Sequence, residues 1–139
     1  MRTRLLAPIT VLGLLFAAAP VWAHHAFSAE FDANKQVTLK GTITKMEWIN
    51  PHAWLHIDVK EANGAVVKWM IELGPPNSLL KRGWTRTSVP VGAEILVVGY
   101  QAKDDAKRAN GRDLTLADGK KLFAGSSNTG APYDAPATK

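Results

Sequence analysis

Between Val37 and Phe123 several runs alternate apolar and polar residues with a period of two, and glycine, proline and asparagine separate them. This is the signature of β-strands with one buried face. The first strand is expected over Val37–Trp48. Val37, Leu39, Gly41 and Ile43 lie on one face, and Thr38, Lys40, Thr42, Thr44, Met46 and Trp48 on the other. Gly41, in mid-strand, marks a bend or bulge. Asn50-Pro51 stops the run, because proline lacks a ladder donor. A second strand, His52–Lys60, sends Ala53, Leu55, Ile57 and Val59 inward and His52, Trp54, His56 and Asp58 outward. A third, Ala65–Leu73, sends Val67, Trp69, Ile71 and Leu73 inward and Val66, Lys68, Met70 and Glu72 outward.

The turn between the second and third strands fixes their register. A two-residue Asn63-Gly64 turn would set outward Asp58 against inward Trp69. A three-residue loop with Gly64 left-handed pairs Glu61 with Ala65 instead. Val59 then meets Val67, Asp58 meets Lys68, Ile57 meets Trp69 and His56 meets Met70. Parity and charge both select this register, which puts the Cβ atoms of His56 and Met70 about 5 Å apart.

Gly74-Pro75-Pro76-Asn77 ends the third strand. Pro76–Arg82 fits a short helix closed by Gly83, with Trp84 packing it onto the body. A fourth strand is expected over Ala93–Gln101 and a charged loop over Ala102–Gly111. A fifth strand follows over Arg112–Ala117, then a turn into Lys120–Phe123. From Ala124 onward Gly, Ser, Asn, Pro and Ala dominate, which predicts a disordered tail over 124–139. The expected fold is all-β: a small five-stranded OB-like barrel over 37–123 with one short helix between strands 3 and 4. A small β-sandwich is the alternative.

The start of the chain changes the picture. Arg2 and Arg4, the apolar run Leu5–Ala19 and Val21-Trp22-Ala23 read as a cleavable export signal over 1–23. The run is too short, and too broken by Pro8, Gly13 and Pro20, for a stable membrane span. Cleavage would make His24 the first residue of an arm over 24–36 and place the protein in the periplasm. Loss of Arg2 and Arg4 takes the formal charge from +5 to +3. The remaining basic residues are scattered, unlike a nucleic-acid footprint. The chain has no cysteine, so it has neither a disulfide framework nor a thiolate metal site.

The chemistry gathers on the outward face of the first three strands: Met46, Trp48, His52, Trp54, His56 and Met70. Imidazole and thioether are ligands for copper, and indole can lie against a bound cation or stack on a ligand. The bland reading is a face covered by the arm or by a protein partner. His52 and His56 lie about 13 Å apart along a strand, so they cannot chelate one ion together unless Pro51 bends the chain. Each needs help from another segment: Met70 opposite His56, or the arm. A mature chain starting at His24 offers an amine and two imidazoles, those of His24 and His25. One further imidazole, from His52 or His56, completes the three-nitrogen set that suits Cu(II). Catalytic motifs are missing: there is no G-x-S-x-G, G-x-x-x-x-G-K-[ST] or G-x-G-x-x-G. An enzyme is not expected.

His24-His25, Phe31-Asp32, Gly41 and Trp48-Ile49-Asn50-Pro51-His52 together resemble a family of small exported bacterial proteins of unknown function. The resemblance implies a periplasmic domain and carries no activity with it. A Trp, His and Met set on a small barrel is also similar in type to the periplasmic Cu(I)-binding chaperones of metal-efflux systems, although their His-Trp-Met-Met spacing is not present. The expectation is a periplasmic copper carrier or chaperone-like domain with His24, His25, His52, His56 and Met70 as metal ligands. Trp48 and Trp54 would contact the bound species, and a periplasmic protein is the expected partner. The alternative is a non-metal small-ligand or protein-binding module accessory to a periplasmic enzyme.

Overall fold

The computed structural model describes residues 27–126 and 129–133. His24, His25 and the export signal lie outside the described residues. A short helix α1 (Phe27–Glu30) leads into strand β1 (Phe31–Glu47). There follow β2 (Trp54–Lys60), β3 (Val66–Glu72), helix α2 (Pro76–Lys81), β4 (Glu94–Ala102), β5 (Arg108–Leu116) and β6 (Lys121–Phe123). The class is all-β, with the expected helix between the third and fourth strands. The strands number six, because Lys121–Phe123 pairs with Asp113–Thr115 of β5.

The ladders run in the order β3-β2-β1-β4-β5-β6, and β3 also pairs with β5. That last pairing is parallel, Met70 with Arg108 and Glu72 with Asn110. It corrects the sequence reading of a loop through Gly111. The backbone of Arg108–Gly111 is satisfied by a strand far away in the chain, which short-range pattern does not register. β1 likewise starts at Phe31 rather than Val37, and the arm contributes its second half to the sheet.

The β2–β3 register is the one read from parity. Val59 pairs with Val67, Asp58 with Lys68, Ile57 with Trp69 and His56 with Met70. The Glu61 amide donates to the Ala65 carbonyl at 2.8 Å, and Gly64 has φ 85°. Leu55, Ile57 and Ile71 are fully buried, with Ile43, Leu73, Leu79, Val97 and Leu114 around them. Burying one such side chain stabilises by roughly 2 kcal/mol, so this register cannot slip by one residue without exposing the core face.

The β1–β2 register holds the main surprise. Thr42 pairs with Asp58 and Ile43 with Ile57, but Lys45 pairs with His56 and Met46 with Leu55. Thr44 is the extra residue of a bulge, and its hydroxyl donates to the His56 carbonyl at 3.2 Å. Beyond it the parity of β1 inverts. Met46 and Trp48, expected on the outer face, pack against the core instead. Trp48 meets Trp84 edge-on with ring centroids 6.4 Å apart. Gly41, the expected bulge, is regular; it serves close strand approach, since a Cβ there would lie 2.8 Å from the Asp58 carbonyl oxygen.

Residues 124–126 and 129–133 are packed, where the sequence reading has a tail. Ala124, Gly125, Ser126 and Ala131 are buried. Tyr133 stacks on Tyr100 at 6.3 Å and meets Phe123 edge-on at 5.6 Å. Small residues here permit close packing rather than disorder. Phe27, Phe31, Tyr100, Ala102 and Ala131 form a second, smaller apolar cluster.

Candidate functional site

Once the bulge is included, the outer face reads as rows across the strands. Glu47 of β1, Trp54 of β2, Glu72 of β3 and Asn110 of β5 make one row. Lys45, His56, Met70 and Arg108 make the next. The inverted parity removes Met46 and Trp48 from this face and brings in Lys45 and Glu47. Trp54 therefore lies between two carboxylate-bearing neighbours.

His56 Nε2 lies 2.7 Å from Glu47 Oε2, and the other oxygen of that carboxylate accepts from Lys45 Nζ. The hydrogen bond from Lys45 first, and that from His56 second, hold the Glu47 carboxyl below the usual carboxylate range. Met70 is the cross-strand neighbour of His56 as expected, and it is 37% exposed. A shallow depression of about 200 Å³ runs past His56, Asp58, Lys68 and Met70.

His52 sits at the other end of the row, just before Ala53. Ala53 and Leu73 are locked by the hydrogen bond from the Leu73 amide to the Ala53 carbonyl, at 2.8 Å. His52 Nδ1 lies 3.2 Å from the Leu73 carbonyl oxygen, 3.5 Å from Ser126 Oγ and 3.9 Å from Glu72 Oε1. A carbonyl only accepts, so Nδ1 carries the proton and donates. In the neutral ring the lone pair is then on Nε2. Glu72 is itself held: Asn110 Nδ2 donates to its Oε1 at 3.1 Å, and the Tyr133 hydroxyl donates to Asn110 Oδ1. Burial pushes the Glu72 carboxyl above its ordinary value, against the attraction of His52 and the hydrogen bond from Asn110.

The sequence reading does not contain Asn110, Ser126 or Tyr133 as site residues. It places Glu72 on the outer face without giving it a role, although the β2–β3 register already sets it beside Trp54. Asn110 and Tyr133 arrive through the parallel β3–β5 ladder and the C-terminal segment, neither of which leaves a local signal.

The arrangement limits the chemistry. Ser126 and Glu72 both approach the same nitrogen of His52. A nucleophile relay needs the hydroxyl on one ring nitrogen and the carboxylate on the other, so these three do not form one. Among the described residues no three His, Asp or Glu side chains stand together as a metal cluster. His52 and His56 each have partners of their own, and Trp48 packs on the core against Trp84. No helix among the described residues is long and apolar enough to cross a membrane.

No curated protein and no solved structure matches the chain. A family model does, over residues 12–111, which takes in the His24-His25 pair and the Trp48–His52 segment. The chain belongs to this group, described as a family of unknown function (DUF6152).

Proposed function

We propose that the protein is a periplasmic copper-binding carrier, exported by cleavage after Ala23, and that its Cu(II) ligands are the amine and ring of His24 with Nε2 of His52. The observation that carries this reading is the 3.2 Å contact between His52 Nδ1 and the Leu73 carbonyl oxygen. A backbone carbonyl that takes Nδ1–H leaves Nε2 as a lone-pair donor, which is how metal-binding histidines are usually held. His24 stands three residues before Phe27, a reach of about 10 Å. Glu30, at the end of α1, contributes to the charge environment of Glu72. His56 is the weaker candidate, because Glu47 occupies its Nε2. With Met70 it offers imidazole and thioether to Cu(I) only if that ion pair opens. His25 serves as an additional donor beside His24. The circuit of ladders β1-β2-β3-β5-β4 supports reading the body as an OB-like barrel with β6 added at its edge.

Titration of mature protein with a native His24 terminus against Cu(II) tests the proposal. The expected result is binding well below micromolar Kd, lost when one extra residue precedes His24 and weakened by His52→Ala. Micromolar or weaker binding that ignores a masked His24 would overturn it. A second reading rests on Trp54, half-exposed between Glu47 and Glu72: the face would stack on a small cationic ligand or on a partner of a periplasmic enzyme. Tryptophan quenching by a metal-free ligand, abolished by Trp54→Ala and not by His52→Ala, would favour that reading.

A further inference from the structure

The C-terminal residues 129–133 link the start of the described arm, at Phe27, to the Asn110–Glu72 pair beside His52. On one side, the Phe27 amide donates to the Thr129 carbonyl at 2.9 Å, and the Phe27 ring meets Tyr100 edge-on at 5.4 Å. Tyr133 stacks on the same Tyr100, and Ala131 is buried in that cluster. On the other side, the Tyr133 hydroxyl begins a chain through Asn110 to Glu72, whose Oε1 faces His52 Nδ1. Asn110 is 2% exposed. Its amide has a definite sense, because Oδ1 accepts from tyrosine and Nδ2 donates to glutamate.

We infer that Tyr133 is a positioning residue. It holds the start of the folded arm at Phe27 and the ring of His52 in one fixed relation, so that a group on the arm and the His52 ring can meet on one ligand. The inference deepens the copper reading and rests on it for the identity of the ligand. The geometry itself does not need the metal. Tyr133 acts through the Tyr100 ring on one side and through Asn110 and Glu72 on the other. Gly125 makes room for it, since a Cβ there would come within 2.4 Å of the Tyr133 ring.

Two variants in the full mature chain separate these contacts. Tyr133→Phe removes the hydroxyl and keeps the stack. Tyr133→Ala removes both. NMR of the His52 ring reports its tautomer, and amide exchange at Phe27 reports the hold on the arm. The expected result is a His52 ring that loses its single Nδ1–H tautomer in both variants. Phe27 exchange rises about tenfold in Tyr133→Ala, with little change in Tyr133→Phe. Cu(II) affinity falls about tenfold in Tyr133→Ala. In a His52→Ala background the same substitution adds no comparable loss, because the two act on one ligand. Unchanged His52 ring signals and unchanged Phe27 exchange in both variants would overturn the inference, as would fully additive copper losses. If wild-type mature protein takes up no Cu(II), the copper reading fails, and the ring and exchange measurements still decide the role of Tyr133.

Discussion

His52 and His56 belong to one run of sequence and point to the same side of the sheet, yet they live in different environments. His56 is governed locally. The extra residue Thr44 shifts the neighbouring strand by one place and swings Glu47 onto its Nε2. His52 is governed from afar, by Leu73 in the next strand and by Ser126, 74 positions along the chain. One imidazole is engaged by a carboxylate at the surface. The other donates from Nδ1 to a backbone carbonyl. Residue type and parity are the same, and the groups that hold the two rings differ in kind and in distance along the chain.

Charging the side that the bulge turns inward should break the comparison most severely. Met46→Asp sets a carboxylate against the core. Urea unfolding should show a loss of about 3 kcal/mol or more; a loss under about 1 kcal/mol would mean that the bulge does not set the faces. Next comes Asn110→Ala at the His52 end. It strips the buried carboxyl of Glu72 and the hydroxyl of Tyr133 of their partner and should cost about 2 kcal/mol by the same measurement. His56 ring signals should stay unchanged.

The two carboxylates flanking Trp54 should respond to pH in opposite directions. Burial raises Glu72, so the folded chain holds that proton more tightly than the unfolded chain does. The stability it contributes is present at acid pH and is lost as pH rises through the ordinary carboxylate range to its raised value. Glu72→Gln should therefore gain about 1 kcal/mol near pH 7 relative to wild type, and the gain should disappear below pH about 4. A constant difference across that range would contradict the assignment. Glu47 is lowered, chiefly by Lys45 and then by His56. Its contribution is present above the ordinary carboxylate range and lost as pH falls through its depressed value. Glu47→Gln should show the smallest effect of the set: a slight loss of stability at neutral pH that vanishes in acid, followed by thermal unfolding.

Much of the sheet was legible because alternation and charge speak for neighbouring strands. The β2–β3 register follows from Asp58 facing Lys68 and from the φ that Gly64 can adopt. Thr44 was not legible as a bulge, since threonine is an ordinary strand residue and Gly41 looked the more natural break. Arg108–Gly111 follows the charged stretch Lys103–Lys107 and pairs at long range, so it read as loop. Ala124, Gly125 and Ala131 looked like the composition of a tail, but small residues also let a chain lie flat on a sheet. The half of the candidate site built by Glu72, Asn110 and Tyr133 depends on those two misread stretches.

The hydrogen bond from Phe27 to Thr129 has a practical consequence. The two ends of the described body are in main-chain contact, so they can be spliced by a short linker and new ends opened at the exposed Asn63-Gly64 turn. Such a circular permutant would retain every ladder of the sheet while denying the protein a free α-amine beside His24. It would separate, in one molecule, what the sheet supplies from what depends on where the chain starts.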